Sequence, residues 1–398
     1  MKNAHRWTFS PRFRRHAFGW RSQPAIIRIR EAVAEIKKTA RANPILGAEG
    51  AVLLFEKLSP ALEHVDSSSG SLGTAVNHAI RTLAPVIALA PAIVEQRNQW
   101  LDRLWTAIQD DEIPYIENLA EFWGDLCATP ECASRRADDL IGTVRLAWSP
   151  DPALRGYFKG TSACLSALLK AGRNEEILEL LRLSPYPFWD YRKWGVKALV
   201  AMGKQGEAIQ FAEDCKDRND SFIAIARVCE EILLSSGMVE EAYDRYAIDA
   251  NRQGTFLATF RAIAAKYPAK PAARILRDLV EGTPGEEGKW FAAAKSAGLY
   301  NEAIELANHT PCDPRTLTRA ARDLAAEEPF FALEAGMAAL RWLAAGYGYE
   351  ITAADIWAAY DSTMKAAERA GRRDETLERI RRHASGFVLQ VLGRQLGL

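Results

Sequence analysis

The fold of this chain is decided by the segment Ala198-Leu-Val-Ala-Met-Gly203-Lys-Gln-Gly-Glu207-Ala208 and by three segments that resemble it. In each of them a glycine is followed by glutamate four residues later and by Ala or Ile five residues later. The other three are centred on Gly172, Gly237 and Gly298. Tyr267 fills the glycine position between the third and fourth copies, so landmarks at 172, 203, 237, 267 and 298 lie 31, 34, 30 and 31 residues apart.

This spacing predicts pairs of antiparallel helices. Two helices of about twelve residues and two short turns come to a little over thirty residues. Glycine ends the first helix where a left-handed backbone is needed, and glutamate then falls in the first turn of the second helix, where its charge suits the helix dipole. A small residue one place later lets the two helices approach closely. Each pair is therefore expected to bury its apolar stripe against its neighbours.

The pattern resembles the tetratricopeptide-repeat (TPR) family, which has a small residue at the turn and an alanine five residues later. Gly203 and Ala208 match it, as do Gly237 and Ala242, and Gly298 and Ala303. The resemblance covers residues 157–310 as five units. It implies an α-solenoid in which the first helix of each pair lines a concave groove.

The rest of the chain also predicts helices, so an all-α fold is expected. Residues 1–23 form a basic aromatic arm, 24–150 an N-terminal helical region, 151–310 the TPR-like repeats, and 311–398 degenerate repeats with a C-terminal capping helix. The region 24–150 is either a set of degenerate repeats or a separate helical domain. Its expected helices, with prolines at or near their starts, are 24–42, 44–65, 72–89, 92–109, 114–127 and 131–147.

The N-terminal arm differs in charge from the remainder of the chain. Residues 1–42 carry eleven Lys or Arg against two Glu, a net charge of +9, whereas the remainder carries −9. One interpretation is a nucleic-acid-binding arm, in which arginines bind phosphates and aromatic rings stack on bases; its residues are Arg6, Trp7, Arg12, Phe13, Arg14, Arg15, Trp20 and Arg21. The other is an ordered arm that inserts its large apolar side chains into the helical body; these are Trp7, Phe9, Phe13, Phe18 and Trp20.

A second candidate surface is the groove that the resemblance implies. Counting back from each landmark places basic side chains on its lining, namely Lys159, Lys170, Lys193, Lys197, Arg227, Arg261 and Lys295. Such a groove suits an acidic or carboxylate-bearing peptide, or a phosphate backbone. The alternative is that these residues lie on ordinary solvated helix faces. An aromatic cluster is either a partner anchor or core between repeats; it comprises Tyr186, Phe188, Trp189, Tyr191 and Trp194.

The sequence offers no pattern typical of catalysis, and we expect no cofactor and no metal. The six cysteines form no C-x-x-C pair, and the six histidines form no H-E-x-x-H motif. Isolated cysteines at apolar helical positions favour buried free thiols in a reducing cytoplasm. Apolar runs stay below the ~18 residues of a transmembrane helix, so no membrane partner is expected.

These observations predict a non-enzymatic binding scaffold or adaptor that holds a protein or peptide partner in the cytoplasm. The alternative is a nucleic-acid-associated factor that uses the arm.

Overall fold

The computed structural model describes residues 5–185, 187–215 and 222–397, and every regular element in those ranges is a helix. The chain divides into two compact units, Met1–Ile225 and Ala226–Leu398. The prediction of an all-α fold is therefore confirmed for the described residues. None of the helices described is both long and apolar enough to cross a bilayer.

The first unit begins with the arm, which contains a 3-10 turn at Ser10–Arg12, and continues through ten α-helices. Their bounds are α1 Ser22–Ala42, α2 Pro44–Leu62, α3 Ser71–Ala88, α4 Val94–Gln109, α5 Trp123–Cys127, α6 Pro130–Ala147, α7 Thr161–Lys170, α8 Asn174–Leu183, α9 Trp189–Ala201 and α10 Gln205–Glu213. One apolar core runs from Trp7 in the arm to Ala198 in α9.

Two of the predicted prolines begin helices: Pro44 and Pro130 are the first residues of α2 and α6, after Asn43 and Thr129, whose side chains cap the free N–H groups. The predicted helix 114–127 is wrong in its first half. A 3-10 helix covers Glu117–Phe122, and only α5 is α-helical. The buried Asp111 carboxylate accepts the N–H of Ile116 at 2.7 Å, which holds the preceding segment in an irregular turn.

Helix α11, Phe222–Ser235, begins at the end of the first unit and continues into the second. The second unit then contains ten further helices. They are α12 Val239–Ala250, α13 Phe256–Lys266, α14 Ala272–Glu281, α15 Phe291–Ser296, α16 Tyr300–His309, α17 Pro314–Asp323, α18 Pro329–Ala344, α19 Ala353–Arg369, α20 Arg373–His383 and α21 Gly386–Leu396. Helices α17 to α21 occupy the region 311–398, for which the sequence predicts degenerate repeats and a C-terminal capping helix.

The predicted glycine bends share one backbone geometry. These four glycines, Gly172, Gly203, Gly237 and Gly298, and also Gly371 between α19 and α20, have φ between 68° and 77°. After each, the N–H of the next residue donates to the carbonyl five residues earlier, as Lys204 does to Leu199 at 2.9 Å. This is the Schellman arrangement, which satisfies the last carbonyls of the first helix. The residue five places after each glycine is fully buried in the helix contact.

The connection at Tyr267 is built differently. Five residues, 267–271, separate α13 from α14, whereas three residues, 202–204, separate α9 from α10. Tyr267 keeps a negative φ of −120° and is buried, and its hydroxyl donates to the fully buried Glu230 carboxylate at 2.6 Å. Lys266 and Asn251 also donate to Glu230, at 2.5 and 2.7 Å. Side chains from α13, from the C-cap of α12 and from this connection therefore meet at one carboxylate of α11.

Within each unit, helices pack against their sequence neighbours and often against the next helix but one. In the first unit α9 contacts α7, α8 and α10, and in the second α18 contacts α16, α17 and α19. Helices α1, α2 and α3 form a three-helix group at the start of the first unit, in which each contacts the other two. That group carries the arm.

Candidate partner-binding groove

The arm packs its aromatic side chains into the first unit. Trp7, Phe9, Phe13 and Phe18 are all buried, and consecutive rings lie 5.4, 6.3 and 5.6 Å apart. Gly50 in α2 makes room for the first of them, because a Cβ there would lie 2.3 Å from the Trp7 ring. Burying side chains of this size contributes about 2 kcal/mol or more each.

Polar contacts hold the arm to α1 and α2. The Glu35 carboxylate accepts the N–H groups of Thr8 and Phe9 at 2.8 and 3.1 Å, together with the Thr8 hydroxyl. Glu31 pairs with Arg12 at 2.8 Å and with Arg28 at 2.6 Å. Glu31 and Glu35 are the two acidic residues of α1, and both carboxylates are therefore already engaged in these bonds.

The arm therefore matches the ordered interpretation for four of its five aromatic residues. Trp20 is the exception, with 73% of its surface exposed. Arg14, Arg15 and Arg21 are exposed near it in sequence. The four buried rings cannot stack on nucleic-acid bases. Only the segment around Trp20 therefore still presents an aromatic ring beside exposed arginines.

The cations predicted to line the repeat groove are mostly engaged. In the first unit Lys193 binds Glu121 at 2.7 Å, Lys170 lies 3.7 Å from Asp125, and Lys197 sits over the ring of Trp194 at 4.5 Å. Lys159 donates to the carbonyls of Gln109 and Asp111, at 3.0 and 2.6 Å. Each of these four cations therefore already contacts a carboxylate, an aromatic ring or backbone carbonyls of the protein itself.

The remaining predicted cations belong to the second unit. Arg227 donates to the carbonyl of Ala250 at 2.8 Å, and Arg261 donates to the Ser296 hydroxyl at 3.1 Å. Lys295 is half-buried. Arg227 therefore links α11 to α12, and Arg261 links α13 to α15.

The predicted aromatic cluster is divided between core and surface. Trp189 and Trp194 are buried, Tyr191 packs edge-on against Trp148 at 5.3 Å, and Phe188 is 43% exposed. The indole Nε1 of Trp194 has no hydrogen-bond partner in the described part of the chain. Tyr186 lies outside the described residues. Most of this cluster is core.

A groove that the sequence analysis did not single out lies between α1 and α3, with a volume of about 820 Å³. Its floor is apolar and includes Ile26, Ile29 and Val33 of α1. The opposite wall is formed by residues of α3 at helical spacing. Ser71, Thr74 and His78 are polar, and Ala75 between them is apolar. The groove follows α1 from residue 23 to residue 41, a length of about 27 Å for an α-helix.

The rim of this α1–α3 groove is basic. Arg30, Lys37, Lys38 and Arg41 line it and are exposed, and no ion pair involving them is found in the described ranges. Arg30, Lys37 and Arg41 recur at helical spacing on one face of α1. The groove lining contains no acidic residue, and the two carboxylates of α1, Glu31 and Glu35, are bonded to residues of the arm. The groove is therefore an uncompensated cationic surface over an apolar floor.

The chain matches no protein-family model, and no curated protein matches it.

Titratable groups converge at two further places in the described structure. All six cysteines are buried, as predicted. A hydrogen bond with Cys127, assisted by Arg136 and Arg135, lowers the pKa of the Cys132 thiol, and the same bond raises the pKa of the Cys127 thiol.

Where the arm meets the end of α2, His16, Glu63 and His64 form the one described cluster whose donor atoms are close enough to share a metal ion. Sequence spacing gave no sign of it, because His16 is 47 residues from Glu63.

Proposed function

We propose that this protein is a non-enzymatic binding scaffold, and that its principal site is the α1–α3 groove, which holds an acidic amphipathic helix of a protein partner. We further propose that the glycine-bend helix pairs form a TPR-like solenoid in the cytoplasm. Support for the repeat comes from the five identical Schellman bends and the buried residue five places after each.

The observation that carries the proposal is the charge arrangement on α1. Four exposed cations border an apolar floor, and both carboxylates of the helix are taken by the arm. A partner helix of about 18 residues would span the groove at 1.5 Å per residue. Its apolar face would cover Ile26, Ile29 and Val33, and its acidic flanks would meet Arg30, Lys37 and Arg41.

The same cations supply the alternative, a nucleic-acid-associated factor. Exposed Trp20 next to Arg21 offers one stacking surface, and phosphates suit the groove rim. The apolar lining of the groove favours the peptide, because a phosphate backbone has no apolar face to pack against it. Salt separates the two, since phosphate binding weakens steeply with added salt whereas an apolar contact does not.

The test is a selection from a library of random peptides of about 18 residues displayed on phage, with the full-length protein as bait. We expect enriched peptides to be acidic and to carry apolar residues at i, i+3, i+4 and i+7. Anisotropy titrations with one such peptide then compare the wild type with Lys37→Glu/Arg41→Glu. The variant should bind at least about tenfold more weakly, because each reversal replaces an attraction of up to about 1 kcal/mol with repulsion.

A matched control reverses two exposed cations elsewhere, Arg182→Glu in α8 and Lys365→Glu in α19. It changes the net charge equally and should leave the affinity within about twofold. Equal loss in both variants would mean that net charge and not the groove governs binding. Tight binding of a single-stranded oligonucleotide with a steep salt dependence would support the alternative instead.

A further inference from the structure

His16, Glu63 and His64 bring three metal-ligating side chains together where the arm meets the end of α2. The Nδ1 of His16 lies 2.9 Å from an Oε of Glu63, and the His16 and His64 rings are stacked with centroids 4.4 Å apart. One donor atom from each of the three residues lies within 4.8 Å of the other two. Arg15 lies 3.3 Å from the second Glu63 oxygen.

The backbone fixes His16 in this place. It has a φ of 55°, in the left-handed region that non-glycine residues seldom occupy. Its N–H donates to the carbonyl of Pro60 at 2.9 Å, which satisfies one of the last carbonyls of α2. Glu63 is the C-cap residue of the same helix. The three ligands are therefore set by one helix end and one hydrogen bond.

We propose that His16, Glu63 and His64 bind a divalent transition-metal ion of the zinc class. Two imidazoles and one carboxylate are ligands that Zn²⁺ accepts, and water would complete a four-coordinate shell. Two ligand atoms at about 2.1 Å from a tetrahedral ion lie about 3.4 Å apart. Donors already within 4.8 Å reach that geometry by side-chain rotation.

Arg15 does not compete for the coordinating oxygen. It contacts Oε1 of Glu63, whereas the imidazole of His16 is beside Oε2. Arg15 is 70% exposed and its contact is long, so the guanidinium can remain as an outer hydrogen-bond donor or turn into solvent. On binding, the metal takes the place of the proton between Nδ1 of His16 and the carboxylate, and that proton leaves to Nε2 or to water.

The bound ion would join the arm to α2. His16 belongs to the arm, whereas Glu63 and His64 follow the last turn of α2. His16 and His64 are exposed, so an ion can enter without unfolding. Because the ion binds only when the arm is docked, it stabilises the docked arm by linkage.

The experiment titrates the full-length protein with Co²⁺, whose visible absorption reports the donor atoms, and then displaces it with Zn²⁺. We expect one equivalent of Co²⁺ to bind with a spectrum that lacks thiolate-to-metal charge transfer. His64→Ala and His16→Asn should each weaken binding at least about tenfold, the lower limit expected for loss of a ligand-shell contact. Asparagine is used at position 16 because it tolerates the left-handed backbone.

The control variant is His383→Ala, which removes an exposed histidine at the end of α20 and should leave the affinity unchanged. Trypsin cleavage after Arg14, Arg15 and Arg21 gives a second readout. Zn²⁺ should slow it severalfold in the wild type and in His383→Ala, but not in His64→Ala. The proposal is overturned if the wild type binds no Co²⁺ at micromolar concentration, if binding survives in His16→Asn/His64→Ala, or if the spectrum reports cysteine ligation.

Discussion

The bend at Gly203, between α9 and α10, and the bend at Tyr267, between α13 and α14, occupy equivalent places in two helix pairs, yet they are stabilised by different means. At Gly203 the backbone closes the turn with a left-handed residue and two hydrogen bonds inside one segment. At Tyr267 the turn is longer, and its geometry depends on the buried carboxylate of Glu230, 37 residues earlier. A bend made by local backbone is visible in the sequence, whereas a bend made by a distant side chain is not.

Among the variants that compare the two bends, Glu230→Ala should cause the largest loss in the free energy of unfolding. It leaves Lys266, Asn251 and the Tyr267 hydroxyl without their common acceptor, and removing one partner from a buried charged network costs about 3–5 kcal/mol. Urea unfolding monitored by circular dichroism measures the change.

The matched control is Glu207→Ala, at the glycine bend. Glu207 pairs with Lys204 at 3.3 Å and is 62% exposed, so its loss should cost less than about 1 kcal/mol. Equal losses in the two variants would show that the Tyr267 bend does not depend on its carboxylate.

Gly203→Ala should have an intermediate effect. Alanine in a left-handed conformation costs about 1–2 kcal/mol, although nothing lies within 4 Å of the added Cβ. Gly142→Ala is the counterpart, because Gly142 lies inside α6, is exposed and has equally open surroundings. That change should instead stabilise the protein by roughly 0.5–1 kcal/mol. The same urea titration measures both changes in the free energy of unfolding. If both variants were stabilised, or both destabilised, the left-handed backbone at Gly203 would not be what distinguishes the two sites.

The smallest expected effect is on the pH dependence of stability at the Tyr267 bend. Burial, followed by the hydrogen bond to Glu230, raises the pKa of Tyr267 in the folded protein. The resulting stabilisation is complete below the unfolded pKa of about 10 and is lost as pH rises through the folded value.

Tyr267→Phe should therefore show a shallower fall in the free energy of unfolding above about pH 10 than the wild type. Tyr243→Phe should act in the same direction, because burial and Asp278 raise the pKa of Tyr243. Urea titrations at several pH values test both variants. A slope identical to that of the wild type in Tyr267→Phe would exclude this contribution.

The features predicted from the sequence are those encoded within a few residues. The glycine bends and the proline starts of α2 and α6 depend only on neighbours in the chain. Local backbone chemistry accounts for each of these successes.

The candidate sites depend on residues that only the fold brings together. The basic residues of α1 were visible as part of a +9 segment, but the groove also needs α3 beside them and the arm on Glu31 and Glu35. Lys193 and Lys170 were placed on a free surface because their partners, Glu121 and Asp125, lie far away in the sequence. Trp20, grouped with four buried aromatic residues, remains in solvent.

The docking of the arm implies an order of events during synthesis. Trp7 and Phe9 leave the ribosome before Glu35 and Gly50, which contact them in the folded protein. These two side chains therefore cannot be buried until α1 and α2 have been synthesised and have paired. We expect pulsed hydrogen exchange during refolding to protect the amide of Phe9 only after those of α1 and α2.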